Sequence, residues 1–159
     1  MKSPVFSVIG ENIHTTRVLM RKGKRVTLDP NGRECVTYRG VDGVQQLMTI
    51  PDEFKRTKVY EEGRVKHFMI AVSKGMSEDP YEQKQGEAYI AVEIERQERF
   101  GSTFLDLNID EISHRIEIQK KAIKWLVGFF GSISNLPPSI DSSSPEIINA
   151  GLEEYERIG

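Results

Sequence analysis

The C-terminal half of the chain repeats one pattern: a short apolar segment ends in polar side chains and is followed by an amphipathic helix. The apolar segments are residues 103–108 and 136–141. A strand–helix–strand–helix order is typical of parallel α/β proteins, in which binding groups lie where strands end in loops. We therefore expect Asp106, Asn108 and Asp141 to converge at one edge of a sheet.

Composition predicts one globular domain and argues against several classes of partner. The chain has 159 residues, of which 38% are hydrophobic and 29% charged, enough for an ordinary core. Its net charge of -2 gives no basic field that would attract nucleic acid or an anionic membrane. No stretch approaches the roughly 20 apolar residues that a membrane-spanning helix needs. We therefore expect neither nucleic acid nor a membrane as a partner.

The reactive side chains are few and scattered. Cys35 is the only cysteine, which excludes an internal disulfide and a cysteine-based zinc site, and no base that would activate it stands nearby. His14, His67 and His114 are widely spaced, so we expect no metal site. The start MKSPVFSVIGEN lacks the apolar run of a signal peptide, which predicts a cytoplasmic location.

The N-terminal half combines a strand, a hairpin and a helix. Residues 5–10 are apolar and β-rich, which predicts a buried strand with Glu11, Asn12 and His14 at its end. Two β-rich segments flank the turn signal at residues 29–32, which predicts a hairpin over residues 24–38. Apolar residues at three-and-four spacing predict a helix over residues 65–76.

Three longer helices follow. Charged and apolar residues alternate at helical spacing over residues 79–99, and an apolar helical face extends from Ile116 to Phe130, with Gly131 as the expected stop. A hydroxyl cap at Ser144 and the proline after it predict the start of the last helix, over residues 145–157. The strand before it should be short, because its two prolines remove backbone donors.

The polar groups at the three predicted strand ends are mostly hydrogen-bond acceptors. They are Glu11 with Asn12, Asp106 with Asn108, and Asp141 with the serines that follow it. A site of this kind suits a ligand rich in N–H donors, because a carboxylate accepts two parallel hydrogen bonds from a planar fork. A pterin ring presents such a fork, and Asp141 is our candidate partner for it. The alternative, that Asp141 only caps a helix or braces a loop, stays open.

Three segments resemble motifs of a known family. VIGENIHTT, FLDLNIDE and SIDSSSPEIINAGLE, in that order, resemble the first three strand-end motifs of the pterin-binding, dihydropteroate synthase-like barrel family. The similarity is greatest to folate-dependent corrinoid methyltransferases and to the folate domain of cobalamin-dependent methionine synthase. It covers about residues 4–17 and 80–159.

The resemblance implies a function and a set of residues. It implies a (β/α)8 TIM barrel that binds methyltetrahydrofolate or a relative at its C-terminal rim and passes the methyl group to a corrinoid (cobalamin) cofactor held by a partner protein. Asp141 corresponds to the aspartate that pairs with the pterin ring. The pterin- and folate-binding set implied for this chain is Glu11, Asn12, Asp106, Asn108, Asp141 and Ser142.

The length predicts only part of such a barrel. A complete (β/α)8 barrel takes about 250 residues, so we expect residues 1–159 to supply about three βα units of one domain, with residues 18–79 inserted after the first strand. The family's later asparagine and aspartate have no counterpart here. Methyl transfer then requires further chain or a partner, and we expect an oligomer or a partner that completes the barrel.

Two alternatives accompany this interpretation. A dihydropteroate synthase shares the barrel and the pterin site, but its first strand reads more like Asn-Val-Thr-Pro-Asp-Ser and a Ser-Thr-Arg-Pro-Gly loop follows its second, where this chain has ENIHTT and NIDEIS. A non-catalytic interaction or structural module is the other. The basic residues at the start of the insertion, Arg17, Arg21, Lys22, Lys24 and Arg25, either protect a solvated hairpin edge or receive phosphate or a folate glutamate tail.

Overall fold

The fold is mixed α/β with a parallel sheet, and the computed structural model describes residues 6–159. The strands within this range are β1 (Ile9–His14), β2 (Leu19–Met20), β3 (Val26–Leu28), β4 (Glu34–Arg39), β5 (Gln45–Thr49), β6 (Arg64–Val65), β7 (Phe104–Asn108) and β8 (Pro138–Ile140). The helices are α1 (Asp52–Lys55), α2 (Lys58–Glu61), α3 (His67–Gly75), α4 (Pro80–Arg99), α5 (Ile116–Ile133) and α6 (Pro145–Ile158).

A three-stranded sheet in the order β1-β7-β8 is parallel throughout. Helix α4 lies in the connection between β1 and β7, α5 lies between β7 and β8, and α6 follows β8. Parallel neighbours need crossover connections of this length, which helices usually provide. The predicted strand–helix–strand–helix order of the C-terminal half is confirmed.

The first strand differs from its prediction. We expected residues 5–10, but β1 begins at Ile9 and continues to His14, so Glu11 and Asn12 lie within the strand and not after it. Val5 lies outside the described residues. Phe6 is 79% exposed and Val8 is 48% exposed. Most of the apolar run therefore precedes the strand, and the register with β7 is irregular between Gly10 and Ile13, so Glu11 and Asn12 lie in the irregularity without partners on β7.

The two faces of the parallel sheet have different surroundings. Leu105 and Leu107 are fully buried on one face, whereas Phe104 and Asp106, which alternate with them along β7, remain partly exposed on the other. The covered face belongs to a core that includes Ile13, Leu105, Leu107, Ile90, Ile94, Ile123, Leu126, Val127, Phe130 and Ile147. Each fully buried side chain of this kind contributes about 1.5–3 kcal/mol by leaving water. The sheet is thus covered by helices on one side and open on the other.

The long helices begin and end near their predicted positions. The Asp79 side chain accepts the Tyr81 backbone N–H at the start of α4. Helix α5 runs past Gly131 to Ile133, and this glycine faces α6, where a Cβ would lie 2.3 Å from the side-chain end of Ile158. Ser144 precedes α6 as predicted but makes no side-chain capping hydrogen bond. None of the helices within residues 6–159 has the length and apolar character needed to cross a membrane.

Residues 18–79 form two small antiparallel sheets and three helices. The predicted hairpin over residues 24–38 is confirmed as β3 and β4, to which β5 adds a third strand. Asp29 accepts the backbone N–H groups of Asn31 and Arg33 in the turn, where Gly32 has a φ of 76°. Strand β2 pairs with β6. The predicted helix over residues 65–76 is confirmed as α3.

Helix α3 packs closely against α4 and α5. A Cβ at Gly86 on α4 would lie 2.3 Å from the carbonyl oxygen of Ala71 and 2.4 Å from the backbone nitrogen of Gly75, both on α3. A Cβ at Gly75 would lie 2.2 Å from the ring of Trp125 on α5. Trp125 in turn stacks on Phe129, with ring centroids 5.4 Å apart. The glycines therefore permit contacts that fix residues 18–79 to the helices of the parallel sheet.

Candidate functional site

The polar ends of the three parallel strands meet at one rim. Asn108 Nδ2 donates to Asp141 Oδ2 over 3.1 Å, and His14 Nε2 lies 3.7 Å from the same oxygen. One ligand atom each from His14, Asp106 and Asp141 lies within 4.8 Å of the other two. The structure thus brings together the three residues expected from strand order, Asp106, Asn108 and Asp141, and adds His14 from β1.

An open cavity of about 490 Å³ lies over this rim. Its lining consists of Glu11, His14, Thr16, Arg17, Asp106 and Asp141. Three of these side chains are carboxylates and one is a guanidinium, so acceptors outnumber cationic donors, as the sequence suggested. Glu11 is exposed within β1, and the side chain of Asp141 is 49% exposed. Both carboxylates are accessible to a ligand.

Asp106 is a carboxyl group whose surroundings disfavour its ionisation. Burial raises the pKa of Asp106 above its usual value, and the negative charge of Asp141 raises it further, while a hydrogen bond from the Ser139 hydroxyl acts in the opposite direction. Asp106 therefore holds a proton more readily than an ordinary aspartate does. A carboxyl group in a cleft whose pKa is shifted by burial and by a charged neighbour is a candidate for a functional site.

The hydrogen bonds of His14 determine which ring nitrogen carries its proton. The backbone N–H of Thr16 donates to His14 Nδ1 over 3.3 Å, and Thr16 Oγ1 lies 2.5 Å from the same nitrogen. A backbone N–H can only donate, so Nδ1 is an acceptor and the neutral ring carries its proton on Nε2. That N–H faces the carboxylate of Asp141. His14 is thus a donor aimed into an acceptor-rich cavity.

Asn108 positions Asp141 and is itself buried. Only 7% of Asn108 is exposed, its Nδ2 donates to Asp141, and its Oδ1 accepts the backbone N–H of Asp110 over 2.9 Å. Both ends of the amide are therefore occupied by the protein. The structure places Asn108 behind the cavity lining, where it orients the carboxylate that faces the ligand space.

Asn12 and Ser142, two members of the predicted set, have protein partners instead of cavity positions. The side chain of Asn12 accepts a hydrogen bond from Arg17. Ser142 Oγ donates to Asp110 Oδ1 over 2.5 Å and accepts the backbone N–H of Ser144 over 3.1 Å. Ser142 thus braces the loop between β8 and α6.

Asp110 has a structural role that the sequence did not reveal. Besides Ser142, both the backbone N–H and the hydroxyl of Ser143 donate to its Oδ2, over 2.8 and 3.0 Å. Burial alone would raise the pKa of Asp110, but these hydrogen bonds outweigh it and hold the pKa below its usual value. Its place two residues after the Asp106-x-Asn108 motif was the only available signal.

His14, Thr16 and Arg17 line the cavity but are not in the predicted set. The wide spacing of the three histidines in the sequence does not reveal that one of them can group with carboxylates. His14, Asp106 and Asp141 are donors that zinc accepts, and they form the one group of this kind within the described range. The proton on Nε2 would have to leave before that nitrogen could bind a metal, so the arrangement as it stands favours hydrogen bonding.

Comparisons of the chain with protein-family models, with curated proteins and with solved structures found no match. The resemblance of the three strand-end motifs to pterin-binding barrels therefore stays a prediction. The functional argument depends on the geometry of the rim and on the chemistry of its side chains.

Proposed function

We propose that this chain is the pterin- and folate-binding portion of a methyltetrahydrofolate:corrinoid methyltransferase-like protein. The observation that supports it best is a half-exposed carboxylate, Asp141, which buried Asn108 holds at the edge of a cavity of about 490 Å³. A carboxylate held in this way is suited to accept the two parallel N–H groups of a pterin ring. The three strand-end motifs supply the same assignment by resemblance.

The remaining rim residues have complementary roles in this proposal. Asp106, with its raised pKa, is placed to exchange a proton with a ring nitrogen of the ligand. The Nε2 of His14 lies 3.7 Å from the Asp141 carboxylate, and we expect its N–H to help orient this carboxylate towards a ligand. Glu11, which also lines the cavity, is a further acceptor for donors of the ligand. Asn12 and Ser142 act through the protein, since their partners are Arg17 and Asp110.

Catalysis needs more than these residues provide. Methyl transfer from tetrahydrofolate requires a proton at the reacting nitrogen, and Asp106 is the candidate source within the described cavity. A corrinoid carried by a partner protein would accept the methyl group, and we assign no residue of this chain to it. The proposal therefore gives this chain folate binding, and methyl transfer only together with further protein.

The open face of the parallel sheet supports the barrel part of the proposal. In a (β/α)8 barrel the helices cover the outside and the inner face lines the core and the site. Here the helices cover one face, and Asp106 and Ser139 lie in register on β7 and β8 with partial exposure. We propose that further strands, from additional chain, a second copy or a partner, cover this face. No feature of the rim favours a dihydropteroate synthase over this assignment.

Calorimetric titration with methyltetrahydrofolate tests the proposal. We expect saturable binding by the unmodified chain and at least a tenfold loss of affinity in Asp141→Asn, because a charge-assisted hydrogen bond is worth about 1.5–3 kcal/mol. Asp52→Asn is the matched control, since the Asp52 side chain is 83% exposed and pairs only with Lys55. Thermal unfolding shows whether each variant is folded.

The outcomes separate binding from a structural role. Loss of binding with an unchanged melting temperature supports Asp141 as a ligand residue. A folded wild-type chain that gives no heat with methyltetrahydrofolate would refute the proposal. A lower melting temperature in Asp141→Asn, without any ligand effect, would support the interaction module, in which the strand-end acids only brace loops.

A further inference from the structure

A second, smaller cavity lies between the β3–β4 hairpin, α3 and α4. Its volume is about 60 Å³, which exceeds the space that one water molecule needs. The guanidinium groups of Arg17, Arg25 and Arg96 line it, together with the aromatic rings of Tyr38, Phe68 and Tyr89. His67, which is only 4% exposed, also contributes to the wall. Exposed arginines thus surround a cavity whose floor is formed by aromatic side chains.

The positive charges of this cavity are only partly neutralised. Arg17 donates to the neutral amide of Asn12, and Arg25 donates to the neutral phenol of Tyr89 over 2.8 Å. Neither arginine has a carboxylate partner among residues 6–159. The one carboxylate in the lining, Glu93, lies 3.7 Å from Arg96. Three guanidinium groups therefore face one carboxylate.

A chain of hydrogen bonds places a free donor at the base of the cavity. Arg25 donates to the oxygen of Tyr89, and His67 Nδ1 lies 2.6 Å from the same oxygen. Burial raises the pKa of Tyr89 to about 12, and burial followed by the charges of Arg25 and Arg17 lowers the pKa of His67 to about 3. The Tyr89 oxygen accepts from Arg25, so we infer that its own proton goes to its other neighbour, Nδ1, which accepts it because the imidazole is neutral at pH 7.

This arrangement leaves the imidazole proton on Nε2. The nitrogen has no hydrogen-bond partner in the part of the chain that the structure describes. It is not completely enclosed by protein atoms, so a ligand can reach it. Nε2–H is therefore a donor without a protein partner within the described residues, on a buried histidine that lines the cavity bordered by the arginines. A donor of this kind needs an acceptor, and the surrounding charge favours an anionic one.

We propose that this cavity is an oxyanion site, in which His67 Nε2–H, Arg25 and Arg17 bind a carboxylate or a phosphate group. The size of the cavity restricts the bound part to one such group, with the rest of the ligand outside. The inference goes beyond the folate proposal and does not depend on it. Arg17 lines both cavities, so an occupied oxyanion site adjoins the strand-end rim.

The alternative is that the arginines only keep an exposed hairpin edge soluble. That alternative predicts weak, unselective association with any anion through surface charge. It makes no prediction about the His67 tautomer or about a saturable response of its ring. The imidazole signals of His67 therefore distinguish a built site from a charged surface.

Long-range ¹H–¹⁵N spectra of the imidazoles provide the readout. The His67 signals are assigned by their loss in His67→Phe, and they should not titrate between pH 8 and pH 5, because burial lowers the pKa of this residue to about 3. We expect a protonated Nε2 and an unprotonated Nδ1. Titration with inorganic phosphate and, separately, with glutarate at constant ionic strength should shift the Nε2 signal saturably for at least one of them.

Two variants make the test specific. Arg25→Gln should weaken the response at least tenfold, since it removes a charge-assisted donor. Arg99→Gln is the control, because Arg99 is exposed on the same helix as Arg96 and pairs with Glu95. If Arg25→Gln does not fold, as judged by circular dichroism, Arg17→Gln takes its place.

The results decide between the two interpretations without any pterin present. Saturation by phosphate alone or by glutarate alone supports the site and identifies its ligand chemistry. A protonated Nδ1, a response that chloride reproduces, or equal responses in the wild type and Arg25→Gln would each overturn the proposal. A chain that binds phosphate here but not methyltetrahydrofolate would retain this site and lose the folate assignment.

Discussion

Acidification should destabilise the protein through His67. This residue is buried on α3, and burial with the charges of Arg25 and Arg17 lowers its pKa from 6.5 to about 3. The unfolded chain therefore binds a proton near pH 6.5 while the folded chain does not. Because the folded pKa is depressed, the contribution to stability is complete above pH 6.5 and is lost as the pH falls towards 3.

The size of the effect follows from the same two pKa values. Each pH unit between them costs about 1.4 kcal/mol of unfolding free energy, so a change from pH 6.5 to pH 5 costs about 2 kcal/mol. Urea unfolding at pH 7 and at pH 5 measures this loss in the wild type and in His67→Phe, which keeps an aromatic ring but cannot titrate. His114→Gln is the control, since His114 is exposed.

The test compares the stability loss between pH 7 and pH 5 in the wild type with that in each variant, so the contributions of the titrating groups that they share cancel. His67→Phe should lower stability at both pH values, because Tyr89 loses its acceptor, but its loss between pH 7 and pH 5 should be about 2 kcal/mol smaller than that of the wild type. His114→Gln should keep the wild-type loss. Equal losses in the wild type and His67→Phe would refute the argument that this imidazole is neutral in the folded state.

Three further predictions concern packing and charge. Gly86→Ala should cost about 2–3 kcal/mol in urea unfolding, because its Cβ would meet the backbone of α3, whereas Gly128→Ala, also within a helix, should cost less than 1 kcal/mol. Asp106→Asn should stabilise the chain by less than about 1 kcal/mol at pH 7 and should have no such effect at pH 3. The raised pKa of Asp106 means that its carboxylate destabilises the folded chain only at a pH at which it is ionised, and calorimetric melting at both pH values measures the difference. Glu82→Gln should cost about 2–3 kcal/mol by leaving buried Lys74 without its carboxylate, and a double variant with Lys74→Met should recover most of that loss in urea unfolding.

The helices and the two later parallel strands could be predicted because their patterns are local. Residues 80–99 combine a capping aspartate, a proline at the first turn and a long helical period, all of which act within the segment. The end of α5 was misjudged at Gly131. A glycine in a helix can signal a stop or a close neighbour, and only the approach of α6 decides between them.

The first strand was misplaced for a physical reason. An apolar run predicts a strand when both faces of the sheet are covered. Here one face of the parallel sheet is open, so β1 can include Glu11 and Asn12, while Phe6 and Val8 remain exposed. The pattern of one segment does not reveal which faces its neighbours will cover.

The convergence of Asp106, Asn108 and Asp141 followed from strand order, which is a topological rule. The direction of individual side chains did not follow, so Ser142 and Asn12 were placed in the site although Asp110 and Arg17 are their partners. The cavity proposed as an oxyanion site was harder still to predict from the sequence. Its arginines come from three separate segments, which only the docking of the hairpin on α3 and α4 brings together.

The contact between Gly75 and Trp125 makes tryptophan fluorescence a probe of how the two parts of the chain pack. Trp125 is the only tryptophan of the chain and lies on α5, where it touches α3 and stacks on Phe129. Its fluorescence therefore responds to whether residues 18–79 are docked on the helices of the parallel sheet. A folding experiment that follows this emission beside far-ultraviolet circular dichroism would show whether the two parts of the chain assemble in one step or in sequence.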